Sequence, residues 1–341
     1  MKSYKGFDKN LKCRDFQYEI GKEYEMDGEI KLCSRGFHAC ESPFEVFDHY
    51  SMIGSRFCEV EQDGNISKED RGTKICSSKI KIKAELKLAD MIYLGVEWLK
   101  EITSPEKIKT SIKDNSSGNY AQIGSSGNGA KIGSSGYGAK IGSSGNYAQI
   151  GSSGNYAQIG SSGYDAQIGS SGDGAQIGSS GNGAQIGSSG NGAQIGSSGY
   201  DAQIGSSGNY AQIGSSGDGA QIGSSGNGAQ IGSSGNYAQI GSSGNYAQIG
   251  SSGNYAQIGS SGNGARIDST GEGCVIMCAG INSVAKASKG SWITLSEWSY
   301  SEGKQRYIPI CVKTEFVDGE KIKADTYYSL KGGVFAEWIN D

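Results

Sequence analysis

The sequence predicts a mainly β protein: a flat, two-sided β-solenoid with 18 residues per coil, capped by an α+β N-terminal domain at one end and a β-rich C-terminal segment at the other. Three observations carry this prediction. Glycine supplies 57 of 341 residues, about one in six against a usual ~7%, while only 3 prolines and no Gly-X-Y period exclude a collagen helix. From Ser116 to Gly262 the triplet Ser-Ser-Gly returns every nine residues, seventeen times without a miss, and an unbroken fixed period means a solenoid. Ala and Ile keep their phase throughout, from Ala121 and Ile123 to Ala265 and Ile267, which a flexible Gly/Ser linker has no reason to do.

Residues 1–113 have ordinary globular composition and form the first domain. Strands are expected at Phe16–Tyr24, Ile30–Leu32, Arg56–Glu61 and Lys74–Leu86. Ser42-Pro43-Phe44-Glu45-Val46-Phe47 reads as an N-capped helix with proline in its first turn. Leu88–Ile102 reads as an amphipathic helix leading into the solenoid.

In the second domain, 114–272, each unit Ile-Gly-Ser-Ser-Gly-Asn-Tyr-Ala-Gln gives one strand and one turn. Ala and Ile stand two apart and share the inner face. Ser-Ser-Gly-Asn supplies the turn, with Gly and Asn tolerating positive φ. A core of Ile, Ala and the first Ser is thin, which favours two units per coil over three. One Ile and one Ala per nine residues bury too little to offset the backbone entropy lost. Ladder hydrogen bonds must make up the difference, so stability is cooperative along the stack and the ends need caps. The third segment, 273–341, begins with Cys274 and Ile276 in the Ala and Ile phases, so degenerate coils should continue to about Leu295. Beyond them, Tyr307–Val317 and Lys321–Tyr328 read as a hairpin about Asp318-Gly319, with Val334–Trp338 as a third strand.

A net charge of −4 from 31 basic and 35 acidic residues argues against both a polybasic nucleic-acid binder and an acidic nucleic-acid mimic. No apolar run has the length of a signal peptide or a membrane span, so a cytoplasmic protein without a membrane partner is expected. Eight cysteines at irregular spacings point to free thiols. Cys33, His38, Cys40 and His49 include the residue types of a zinc site, but their spacing matches no short-knuckle pattern, and neither metal nor cofactor is expected. A Cys–His nucleophile pair using Cys40 or Cys33 lacks an identifiable orienting group. Buried thiols with a structurally bonded histidine are the preferred reading. A nucleotide-handling site using Tyr4, Arg14 and Glu41 is the alternative in this domain. Within the repeats only Asp165, Asp173, Asp201 and Asp218 bring carboxylates to the turn, too few for a calcium-binding roll.

Variation between units concentrates at the two positions before Ala. On an 18-residue coil, Tyr120, Tyr156, Tyr210 and Tyr246 fall on one side and Tyr147, Tyr237 and Tyr255 on the other. Such tyrosines form a rigid, uncharged, amphipathic contact surface. The competing reading is that each ring only covers a neighbouring strand edge, with glycine alternating to fit.

The flanks carry a resemblance. Tyr4-Lys5-Gly6-Phe7, Cys13-Arg14, Phe16-Gln17-Tyr18-Glu19, Gly36-Phe37-His38-Ala39-Cys40, Gly290-Ser291-Trp292-Ile293 and the stretch from Val312 to Thr326 resemble a family of uncharacterised phage and prophage proteins with varying numbers of central repeats. The resemblance implies a mobile-element setting and supplies no activity or catalytic residues. The expectation is a non-enzymatic interaction protein that binds, and so inhibits, a host or antiviral-defence protein. A self-assembling structural spacer, acting as a homo-oligomer, and an enzyme with its site in the N-terminal domain are the alternatives.

Overall fold

The computed structural model describes residues 1–52, 54–69, 73–102, 115, 116 and 118–339. The expected boundary between residues 113 and 114 lies outside them.

The N-terminal domain is richer in strand than its sequence suggests. Its elements are β1 (Lys2–Phe7), β2 (Lys12–Cys13), β3 (Phe16–Gln17), β4 (Glu23–Glu25), β5 (Phe37–Cys40), a 3-10 helix (Phe44–Asp48), β6 (Arg56–Lys68), β7 (Lys74–Leu86) and α1 (Leu88–Ile102). β7 pairs with β5, β5 with β1, β1 with β6, and β6 back with β7, all antiparallel, so four strands close on themselves and β4 extends the sheet beside β7. Phe7, Tyr18, Phe37, Val60, Ile80 and Ile82 fill the interior. The expected strand Phe16–Tyr24 is only β3 and β4, split by a turn at Gly21, and Ile30–Leu32 is not a strand. Arg56–Glu61 extends to Lys68, while β7 and α1 lie where expected. The expected capped helix is a 3-10 turn without a side-chain cap. Pro43 occupies the N-cap position, and Ser42 instead donates its backbone N–H to Thr73 Oγ1 at 3.0 Å.

The repeats form a β-solenoid of about ten turns over residues 122–295, with 18 residues per turn. Strands of sequence Gln-Ile-Gly-Ser pair in parallel with the strand eighteen residues on, as Gln185–Ser188 does with Gln203–Ser206. Alternate strands build two facing sheets. Ile, Ala and the first Ser point inward: repeat isoleucines are at most 4% exposed, and the alanines from Ala139 to Ala265 are fully buried.

The turn chemistry differs from expectation at two positions. Positive φ falls on the residue before Ala, near +57° for Tyr120, +58° for Tyr147 and +64° for Gly174. The third residue of Ser-Ser-Gly is glycine for another reason. A Cβ there would strike the carbonyl of the same glycine one coil earlier, as Gly199 would strike Gly181. The Asn side chains form a ladder between coils: Asn227 Oδ1 accepts from Asn245 N–H at 2.8 Å, and Asn209 Oδ1 from Asn227 N–H at 2.9 Å. Asp173 and Asp218 serve as asparagine surrogates in this ladder, while Asp165 and Asp201 occupy the positive-φ position.

Degenerate coils continue through Val275–Cys278 and Val284–Ala287 to Trp292–Ser301. The C-terminal pairing departs from the expected hairpin. Arg306–Phe316 pairs antiparallel with the preceding strand, Trp292–Ser301, and Tyr328–Lys331 pairs with Val334–Glu337. Asp318 Oδ1 accepts from the N–H groups of Glu320 and Ile322, which fixes a local turn in place of a second hairpin strand. Each sheet thus ends on an antiparallel strand, which stops further parallel stacking.

The N-terminal domain does not sit at the end of the stack. It lies along the flank of one sheet, with α1 across the outer surface of strands from Lys140–Ser143 to Gln194–Ser197. We refer to this as the covered sheet and to the other as the open sheet.

Candidate functional site

The N-terminal domain holds a cleft of about 1070 Å³ between β1, β5 and the β2–β3 turn. At its base is Lys5, only 4% exposed. Its Nζ donates to the His38 carbonyl at 2.9 Å and to Cys13 Sγ at 3.5 Å, and lies 5.4, 5.8 and 5.9 Å from the ring centroids of Phe7, Tyr18 and Tyr50. Among the described residues no carboxylate pairs with it, which is rare for a buried lysine. Burial pulls its pKa below the ordinary range. Tyr50 Oη stands 3.1 Å from Cys13 Sγ, and burial together with that contact raises the phenol's pKa. Phe16, Tyr18 and Tyr24 form an edge-to-face aromatic wall, with Phe16 46% exposed.

Cys33, His38, Cys40 and His49 all line this cleft, but as separate features. Cys33, at φ +63°, donates its backbone N–H to His38 Nε2 at 2.9 Å, so His38 acts as an acceptor in a structural turn. Burial, then the charge of Lys5, lowers the His38 pKa. Burial also lowers that of His49, with Lys74 next in effect. Cys40 faces the apolar cluster of Phe44, Phe47 and Phe57, where burial pushes its thiol up to about 12. Among the described residues no three His, Cys, Asp or Glu side chains converge as metal ligands, and all eight cysteines are free thiols. Tyr4 and Arg14 line the cleft, whereas Glu41 lies outside its lining and pairs with Lys68 at 2.9 Å. Lys5, Cys13 and Tyr50 escaped the sequence reading because a lysine within Ser-Tyr-Lys-Gly-Phe reads as the solvent side of a strand. Only the closure of the sheet buries both faces of β1.

On the solenoid, Tyr120, Tyr156, Tyr210 and Tyr246 share one ridge and Tyr147, Tyr237 and Tyr255 the other. Their exposure runs from 46% at Tyr120 to 71% at Tyr210. The packing of these residues matches the strand-covering reading, and their exposure leaves the rings accessible. The rings of Tyr156 and Tyr210 lie over Gly174 and Gly228 of the next coil, where a Cβ would meet ring carbons at 2.8 Å. The two tyrosines remain 55% and 71% exposed. Tyr237 and Tyr255 stack at 5.4 Å with 16° between planes. Sequence reading passed over Tyr137, Tyr164 and Tyr200, which take the ladder-asparagine position and are also exposed. Tyr137 bridges Tyr120 and Tyr156 at 5.7 and 5.3 Å.

A family model described as a domain of unknown function (DUF7666) matches residues 1–94. No curated protein matches the chain, and neither does any solved structure. The matched segment ends inside α1, so it takes in the closed sheet, the cleft and the first turns of the docking helix and leaves the solenoid outside.

Proposed function

We propose that this is a non-enzymatic interaction protein whose rigid solenoid binds, and by binding inhibits, another protein. The observation that supports this reading is the pair of ridges bearing ten tyrosines, each between 44% and 71% exposed, on a scaffold whose turns are locked by coil-to-coil hydrogen bonds. Rings held in place lose little entropy on binding. The resemblance of the flanks to phage and prophage proteins supplies the setting: a host or antiviral-defence protein in the host cytoplasm. Among the described residues no helix is long and apolar enough to cross a membrane.

The repeat provides its own control. Glycine occupies the tyrosine position in other units at the same φ, so Tyr→Gly at the seven positive-φ tyrosines preserves the backbone. Tagged full-length protein should capture a stoichiometric partner from nuclease-treated bacterial lysate, and the glycine variant should not. Equal capture by both would remove the tyrosines from the reading, and recovery of the protein alone would favour self-assembly.

The cleft supports a second reading, a ligand-binding or catalytic N-terminal domain, carried by Lys5, buried without a carboxylate partner among the described residues. A folded Lys5→Met variant that keeps the full biological effect would sink it.

A further inference from the structure

The two sheets are built from the same strand sequence, yet among the described residues only one of them is covered. On the covered sheet the outward Gln and Gly of Gln-Ile-Gly-Ser form a socket for the N-terminal domain. The glycines leave a trough, and apolar side chains enter it. Leu88 and Met52 lie over Gly214, Ile92 over Gly196, Phe44 over Gly178 and Leu99 over Gly160. The glutamines grip the rim. Gln176 Nε2 donates to Asp48 at 2.8 Å, Gln194 Nε2 to the Phe47 carbonyl at 3.1 Å, and Gln158 Nε2 to Glu45 at 3.2 Å.

The helix fits because two periods nearly coincide. One helical turn rises about 5.4 Å, and neighbouring strands stand about 4.8 Å apart. A helix along the stack therefore offers one apolar side chain per strand. From Leu88 to Leu99 it rises about 16.5 Å while crossing three strand spacings of about 14.4 Å in all. At the strand where Phe44 enters from the 3-10 helix, α1 carries Gly95, whose Cβ would meet the Phe44 ring at 2.8 Å.

The open sheet presents the same trough, which no described residue fills. From Gly151 to Gly259, at every eighteenth residue, a Cβ would meet no described residue within 4 Å. The groove along these strands measures about 1450 Å³. Its C-terminal end turns apolar: Val275 and Met277 take over the Gln and Gly columns, and Trp292 and Phe316 continue the first of them, all 40% to 52% exposed. A contiguous apolar shelf running on from a polar-rimmed trough marks a contact surface.

We propose that the open sheet is a docking groove for an amphipathic α-helix of a partner protein. That helix lies along the stack with apolar residues at the 4-3-4 spacing of positions 88, 92, 95 and 99, carries carboxylates toward the glutamine rim, and ends in a large apolar side chain on the Met277–Trp292 shelf. The inference deepens the reading of the solenoid as a binding platform, but it assigns the contact to a sheet face rather than to the tyrosine ridges.

The test adds a labelled peptide copying residues 88–102, lactam-bridged between positions 93 and 97 to hold it helical, to the intact full-length chain. Saturable one-to-one binding is expected. Gly187→Leu with Gly205→Leu fills the trough on a face with open space and should weaken binding at least tenfold. An Ile92→Asp peptide should not bind. No binding to the intact chain overturns the proposal. Binding unaffected by the two leucines shows exchange with α1 on the covered sheet and overturns it as well, as does a dimer of the intact chain that the same leucines dissociate, since a second copy would then own the groove. Peptide binding does not pass through the tyrosines, so its outcome is independent of the capture experiment.

Discussion

Three glycines in neighbouring coils, each replaced by alanine, should give three different results. Gly199 closes a Ser-Ser-Gly turn, and a Cβ there overlaps the Gly181 carbonyl and stands 3.0 Å from Asn182 N. Relief requires the coils to separate locally, which strains the flanking bonds from Ser198 N–H to the Ser179 carbonyl and from Tyr200 N–H to Asn182 Oδ1, both 3.0 Å. Losing two such bonds costs about 2 kcal/mol, and overpacking adds about 1 to 3 kcal/mol. Gly199→Ala should therefore destabilise by about 3 to 5 kcal/mol. A Cβ at Gly187, on the open sheet, would meet no described residue within 4 Å. Gly187→Ala mainly restricts the unfolded chain and should stabilise by about 0.5 kcal/mol. Gly178 lies under the Phe44 ring, so Gly178→Ala should leave the coil intact but loosen the docked domain. Urea unfolding of the full chain, followed by circular dichroism, reads the first two. Faster hydrogen exchange in α1, without change in the central repeats, reads the third. Unfolding midpoints for Gly199→Ala and Gly187→Ala that coincide would refute the assignment of the turn glycine to close backbone approach.

Asn227→Ala removes one acceptor from the turn ladder and should cost about 1 kcal/mol, whereas Tyr200→Asn, which offers Asp218 N–H an acceptor, should gain a few tenths; thermal unfolding distinguishes them. Ser197→Ala should raise the melting temperature, because the Ser197 hydroxyl is fully buried and finds no partner among the described residues, and an apolar replacement of similar shape removes that penalty of about 1 kcal/mol. His38 and His49 have depressed pKa values in the folded chain. The unfolded chain therefore takes up protons first as pH falls through about 6.5, and stability present above that pH declines below it. A His38→Gln, His49→Gln variant should lose less melting temperature between pH 7 and pH 5 than the parent; an identical loss would assign the acid sensitivity to other groups.

The solenoid was legible because its rules are local and repeated. Ala and Ile two apart specify one buried face, and a nine-residue unit with so little apolar bulk specifies two close sheets. What the repeat could not reveal is which glycine does what, since positive φ, close backbone approach and an open trough all read as Gly. Tyr147 and Tyr255 show the difficulty from the other side, for they hold the left-handed conformation that glycine normally supplies. The C-terminal strands were misjoined for a related reason. Asp318-Gly319 is a sound turn signal, but the partner of Arg306–Phe316 was set by the open edge of Trp292–Ser301, which only the assembled stack provides.

The N-terminal domain shows why burial of charge is harder to read than burial of apolar residues. Lys5 sits in a strand that would be amphipathic in an open sheet; closure through β6 and β7 makes it an interior residue. The same limit governed the domain's placement. Leu88, Ile92 and Leu99 predict an amphipathic helix whatever surface receives it. That the receiving surface is a row of glycines follows only when helical pitch and strand spacing are compared along a common axis. The match of about 5.4 Å to about 4.8 Å is close over three or four strands and drifts beyond them. A helix of roughly fifteen residues is thus near the longest that one straight trough can hold in register. A longer partner helix would need to bend, or to leave the glycine column for the flat apolar shelf at Val275, Met277 and Trp292, where side chains replace the trough and register no longer matters.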